Sequence, residues 1–304
     1  MDWLTWSGVR ALATCEALVP RSGTVMLAQP DPQRPPIKWT TERRWFDTAI
    51  PMTARPGEIV YARKAWRAST RPALVAAIQA PSVLATTFYD PMIGQNAASE
   101  ILAPSSHIRA WFAVQALTTH PRLTAMPLGV EVENVPLFDA TEQRAERDIL
   151  LYLNFTVNRR FLHQHPIRQR LWRQFAGVPW VTAEAPGDPR HYVAQLGRSK
   201  FVLSPPGYGW DCYRTYDAIA MGAIPIVKRY PPCSDVLDGL PALVVDRWAD
   251  ITPERLQHAW ETRPTPDLSK LTLEYWRDRI LHASRAAAHT ARVVPPCGTG
   301  VGVG

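Results

Sequence analysis

The sequence predicts an α/β fold made of two Rossmann-like domains with parallel sheets. Continuous apolar runs of strand length, bounded by turn residues, recur along the chain, and one-sided helical stretches separate them. Strands that alternate with helices in this way form parallel sheets covered on both faces, which is why they read as unbroken hydrophobic runs. A charged stretch of low periodicity, 139–148, divides the rhythm into two halves.

The first fifty residues are broken by Pro30, Pro32, Pro35 and Pro36 and predict a strand or two with loops. From Gly57 the pattern is β-α-β: a buried strand over 58–62, a short helix over 72–80 and a strand over 82–88. An apolar block rich in aromatics follows at 108–117, then a strand over 123–130 that includes the turn residue Gly129. The second half opens with the run Ile149-Leu-Leu-Tyr-Leu153. Pro166 suits the first position of a helix carrying Ile167, Leu171 and Phe175, with Gly177 as its stop. Trp180-Val-Thr182 is a strand, Tyr192, Val193 and Leu196 mark a helix of two turns, and Lys200-Phe-Val-Leu-Ser204 is the next buried strand. A helix over 211–221 stops at Gly222, and strands follow at 224–227 and 242–246. Thr252 then caps a helix with Pro253 at its first position and Glu254 in its first turn. Residues 273–289 are helical by composition, and the Gly/Pro-rich tail 295–304 frays.

The composition sets further bounds. The 304 residues include 34 Lys+Arg and 27 Asp+Glu, so 34 − 27 gives a net charge of +7, with 46% hydrophobic and 20% charged positions. At roughly 100–200 residues per domain this accommodates two domains, 1–145 and 146–304, with the last helix packing back on the first. Disorder is excluded. No run reaches the roughly 18–20 apolar residues of a membrane helix, and Asp2 stands where a signal peptide carries a base, so the chain reads as soluble and cytoplasmic. Cys15, Cys212, Cys233 and Cys297 lie too far apart for a zinc motif or a disulfide framework. Most of the positive charge is arginine, the better bidentate partner for phosphate, although an arginine-biased genome gives the same count.

The chemistry concentrates in KFVLSPPGYGWDCYRTYDAIAMGAIPIV, residues 200–227, a strand, a Pro/Gly bend, a helix and a strand in succession. Gly207 and Gly209 allow close backbone approach to a ligand, and a helix start offers N–H groups and a positive dipole end to an anion. Asp211 suits the N-cap. Arg214, in the first turn, and Asp217, three residues on, share a face, so a diphosphate and a sugar hydroxyl can be held together. The alternative is structural: a glycine turn and an exposed ion pair.

This segment resembles the donor-binding half of GT-B glycosyltransferases, most closely the exostosin-like family (glycosyltransferase family 47), over residues 192–260. The strand PALVVD and the helix start DITPERL continue the likeness. Upstream, DILLYLNFTVNRR resembles the first strand of the donor domain, and IRAWFAVQALTTHPRLTAMPLGVE the crossover into it. Asp217 departs from the pattern, standing where the family usually carries Glu. The resemblance implies a GT-B-like fold, its parallel sheets facing across a cleft, and sugar transfer from a nucleotide-diphosphate donor without an obligatory metal or other cofactor. The acceptor is a carbohydrate, a lipid-linked group or a nucleic acid. Donor contacts are implied for Asn154, Arg159 with Arg160, and Lys228, all at strand ends.

An inverting transfer needs a base from the N-terminal half, for which Asp90 in TTFYDPMI is the candidate, with His107 and His120 behind it. Cys212 shows no paired His and reads as a buried thiol. Two alternatives remain open: a glycosyltransferase acting on modified bases in DNA, suggested by the basic pI of 9.4 and twelve tryptophans, and a non-catalytic nucleotide or nucleic-acid binding protein on the same fold.

Overall fold

The computed structural model describes residues 1–18, 26–29, 53–62, 71–87, 92–141, 146–157 and 165–293. The N-terminal half contains α1 (Trp6–Ala11), β1 (Cys15–Leu18), β2 (Met26–Ala28), β3 (Ile59–Tyr61), α2 (Arg71–Ala77), β4 (Ser82–Thr86), α3 (Gln95–Leu102), β5 (Ile108–Ala113), β6 (Leu123–Ala125) and α4 (Val135–Ala140). The C-terminal half contains β7 (Ile149–Leu153), α5 (His165–Phe175), β8 (Val181–Ala183), α6 (Pro189–Arg198), β9 (Ser199–Leu203), α7 (Tyr213–Ala220), β10 (Ile224–Lys228), β11 (Leu243–Val245), α8 (Pro253–Glu261) and α9 (Leu273–Val293).

The strands form two sheets, in the orders β2-β1-β3-β4-β5-β6 and β11-β10-β9-β7-β8. Among the described residues every strand pairing is parallel except β1 with β2. The α/β class with two Rossmann-like halves thus holds, with an antiparallel edge strand added to the first sheet. In the second sheet the order reverses between β7 and β9, and open α/β sheets bind ligands at such a reversal, outside the carboxyl ends of the strands.

Interior residues explain why these segments fold as they do. In β4 all five residues are buried, and the neighbouring Trp111 is fully covered, with its indole N–H donating to Thr86 Oγ1 at 2.9 Å. Helix α1, which the broken N-terminal sequence conceals, is capped by Thr5, whose hydroxyl accepts from Gly8 N at 3.0 Å. Arg147 serves the second half in place of a cap: its guanidinium donates to the carbonyls of Leu196, Ser199 and Met221, tying α6 and the end of α7 to the strand that follows.

The halves share one apolar cluster, in which Trp3, Leu4, Phe112 and Val130 meet Tyr152, Leu196, Ala218 and Trp276. Helix α9 leaves the second half and packs on β4 and β5 of the first. Ser284 Oγ on α9 donates to Gly57 O at 2.6 Å. The run 123–130 is strand only as far as Ala125, and from Pro127 the chain leaves the sheet to cross to the other half. There Val130 N donates to Leu4 O at 3.0 Å, which brings Leu4 against the preceding glycine.

Gly129 has φ +78, and a Cβ on it would lie 2.2 Å from Leu4 O. Gly129→Ala therefore combines left-handed strain with a backbone collision. It is expected to cost about 2–4 kcal/mol, read as a lowered denaturant midpoint at unchanged slope.

Candidate functional site

At the reversal between β7 and β9 lies a cavity of about 290 Å³, lined by Leu128 and Glu131 from the crossover and by Thr156, Arg168, Gly207, Tyr208, Gly209 and the 211–214 segment from the second half. Two arginines face it. Arg214 is held by Nε donating to Asn154 O at 2.8 Å and by NH1 to Pro205 O at 3.4 Å. Arg168, on α5 and 5% exposed, donates from Nε to Pro206 O at 2.7 Å and from NH1 to Thr156 O at 3.2 Å. Both guanidinium carbons sit over the Phe155 ring, at 5.5 Å for Arg214 and 5.8 Å for Arg168.

Neither arginine forms a salt bridge among the described residues. Burial, and then the neighbouring Arg214 charge, pull Arg168 down to about 10. Two like charges, one buried and one half-buried, are thus held by carbonyl dipoles without a salt bridge, an arrangement suited to an anion.

The glycines of the bend, besides lining the cavity, make room for side chains of this protein. A Cβ on Gly207 would lie 2.7 Å from Arg168 NH2, and one on Gly209 would lie 2.3 Å from the Gln115 amide. The two residues also close on each other, Gly207 N donating to Gly209 O at 2.9 Å. Glycine is needed here so that side chains of this protein can pack against the bend.

Asp211 is not the N-cap of α7, which is Cys212. Its buried carboxylate accepts from Leu128 N at 2.8 Å, Tyr216 OH at 2.7 Å and Cys212 N at 3.0 Å. Its main chain exchanges hydrogen bonds with Gln115, whose Nε2 donates to Asp211 O at 2.7 Å while Oε1 accepts from Asp211 N at 3.1 Å. Gln115 adopts φ 58 to do this, a left-handed conformation at a non-glycine residue.

Asp217 also departs from the expectation of a sugar-contacting carboxylate. It is 2% exposed and accepts from Glu131 N at 3.0 Å and Asn134 Nδ2 at 2.9 Å, so its oxygens serve the crossover. Asn154 presents its carbonyl to Arg214, while its side-chain amide donates to Tyr152 OH, 2.9 Å away, and that hydroxyl donates to Glu184 at 3.0 Å. Lys228 is exposed and lies on the opposite side of the bend, with Ser204, Trp210 and Tyr230, apart from the arginines. Asp90, Arg159 and Arg160 lie outside the described residues.

Other candidates fall elsewhere. His107 is half-buried before β5, and His120 Nδ1 accepts from Arg122 N at 3.1 Å in a turn. Cys212 points its thiol toward Pro205 O and Gly209 O, and burial pushes it up. Among the described residues no group of three or more His, Cys, Asp or Glu could hold a metal ion, and no helix is long and apolar enough to cross a membrane.

The sequence reading missed Arg168, Glu131 and Gln115. Arg168 had a signal: with Leu171 and Phe175 it occupies i, i+3 and i+7, so it stands on the buried stripe of α5. Glu131 and Gln115 lie in loops with no period to mark them.

The RXYLT1 C-terminal domain family matches residues 157–240. A curated relative, ribitol-5-phosphate xylosyltransferase 1 of Danio rerio, is 26% identical over 115 residues, covering 34% of this chain and 26% of that protein. The match thus spans about a quarter of the relative's length. Among solved structures, the glycotransferase of kitacinnamycin matches 78% of this chain and 76% of its own at 15% identity, with a TM-score of 0.35. The pneumococcal O-GlcNAc transferase GtfA, in complex with UDP and GlcNAc, matches 91% of this chain and 65% of its own at 10% identity, with a TM-score of 0.37.

Burial raises both Asp211 and Asp217 to about 7, against an unfolded value near 3.8. Between those values the native state binds more protons than the unfolded chain, so stability falls as pH rises from about 4 to 7. Asp217→Asn is expected to flatten this decline in thermal unfolding measured across that range, and an unchanged slope would assign the titration to other groups.

Proposed function

We propose that this chain is a glycosyltransferase that binds a nucleotide-diphosphate sugar in its C-terminal half, 146–304, and an acceptor across the cleft in 1–145. The observation that carries this is the pair of Arg168, buried, and Arg214, half-buried, which line one cavity at the sheet reversal with no salt bridge to either among the described residues. A diphosphate supplies the missing negative charge and two sets of oxygens for planar guanidinium forks. The similarity of residues 157–240 to the RXYLT1 C-terminal domain supports the assignment, and the Danio rerio relative, by name a xylosyltransferase, supports sugar transfer as the reaction class. The exostosin-like resemblance over 192–260 points the same way.

In the reaction the acceptor oxygen attacks the anomeric carbon and the bond from that carbon to the diphosphate breaks, its electron pair leaving with the phosphate. Charge therefore grows on the diphosphate in the transition state. Arg168 and Arg214 are already oriented by carbonyls of 154, 156, 205 and 206, so they stabilise that charge with little reorganisation, and no metal is required of the step. Arg159 and Lys228 remain proposed as donor contacts at strand ends, and Asp90 as the sequence's candidate for the base from the N-terminal half.

A thermal-shift panel of UDP, GDP, ADP and CDP tests the reading. One nucleoside diphosphate is expected to raise the unfolding temperature, with a stabilisation of about 2.7 kcal/mol at a hundredfold excess over Kd. Arg168→Ala and Arg214→Ala should each abolish the shift. No response from the wild type, or a full response from Arg214→Ala, would overturn the assignment.

A further inference from the structure

The diphosphate cavity has a wall from the N-terminal half, and Glu131 is the side chain on it that carries reactive chemistry. Two carboxylates line this cavity, Asp211 and Glu131. Asp211 already accepts three hydrogen bonds, from Leu128, Tyr216 and Cys212. Glu131 is anchored by its main chain instead: its N–H donates to Asp217 Oδ1 at 3.0 Å, and Asp217 lies one turn beyond Arg214 on α7. That bond fixes the main chain of Glu131 beside α7, and Glu131 lines the cavity together with the two arginines. The charge that acts most strongly on Glu131 is the carboxyl of Glu133, two residues on, which is exposed. One carboxyl thus borders the cavity and its partner meets solvent.

We propose that Glu131 takes the proton of the acceptor hydroxyl and passes it through Glu133 to water. The assignment rests on the diphosphate reading above. The acceptor O–H bond breaks as its oxygen bonds to the anomeric carbon, and the bond from that carbon to the diphosphate breaks in the same displacement. The proton goes to Glu131, then to Glu133, then to solvent, so that one hydroxyl and one nucleotide sugar yield one glycoside, one nucleoside diphosphate and one proton.

The surroundings suit a base. Burial, followed by the Glu133 and Asp217 carboxylates, raises Glu131 to about 8, where a carboxylate competes for a hydroxyl proton far better than an ordinary glutamate does. The charges that act on it are Glu133 on its own segment and Asp217 on α7, and Asp211, Cys212, Arg214 and Arg168 line the same cavity. Since the base must be ionised to act, kcat/KM should rise with pH along a limb centred near 8.

The experiment uses the full chain, with UDP as binding probe and hydrolysis of UDP-xylose and UDP-glucose as turnover, water serving as acceptor. Glu131→Gln should keep the UDP thermal shift while UDP release falls by about 100-fold or more. Glu131→Asp should restore part of the rate. Glu133→Gln should keep the shift and move the pH limb to lower pH, because a neighbouring negative charge has been removed; a purely structural role for the pair would leave the limb in place. If UDP binds and Glu131→Gln releases UDP within threefold of wild type, or if the limb is absent, the Glu131 assignment fails and the diphosphate cradle stands. If the wild type binds no UDP, the cradle and the proton path both fail for UDP donors. If it binds UDP and hydrolyses neither sugar at any pH, the proton path fails.

Discussion

The structure depends on how charge is sorted around the first turns of α7. Four ionisable side chains come from the bend and the two helices beside it, and each buried one needs polar partners. The carboxylates of Asp211 and Asp217 turn toward the N-terminal half, where main-chain N–H groups of 128 and 131 and the Asn134 amide meet them. The guanidiniums of Arg214 and Arg168 turn the other way, to carbonyls at the ends of β7 and β9. A direct arginine–aspartate pairing would have neutralised both sets. Keeping them apart joins the two halves and leaves both guanidiniums without a salt bridge among the described residues.

This sorting also changes how an anion would be recognised. The bend spends its own N–H groups internally: Gly207 N on Gly209 O, Asp211 N on Gln115 and Cys212 N on the Asp211 carboxylate. A helix start alone is therefore a smaller part of the cradle than the two planar cations, which lie over one phenylalanine ring and are aimed by carbonyls. Behind Arg214, Asn154, Tyr152 and Glu184 form a chain of hydrogen bonds that reaches His191 and Gln195 on α6. The arginine is thus supported from within the sheet.

The C-terminal half was the more legible in the sequence because most of its strands contain a short continuous apolar run and its helices carry local stop and start signals. Ile149–Leu153 and the Thr252-capped helix Pro253–Glu261 stand where those signals put them. The N-terminal half hid more. Helix α1 has two buried residues, Trp6 and Val9, too few for a period, and the strand read over 123–130 ends early because Pro127 and Leu128 belong to the crossover. At the site, Arg214 was visible from its place after a strand and a glycine bend. The role of Asp217 was not, because its partners, Glu131 and Asn134, are more than eighty residues away in the chain, |i−j| 86 and 83. Sequence spacing suggests which groups share a helix face; it does not say which distant loop occupies that face.

The crossover bonds carry a mechanical implication. Separating the halves as rigid bodies would expose Asp211 and Asp217 and break their links to 128, 131 and 134 together with the two Gln115 bonds, while α9 still strapped the second half to β4 and β5. The junction is therefore clamped: parting the halves as rigid bodies would cost all of these bonds at once.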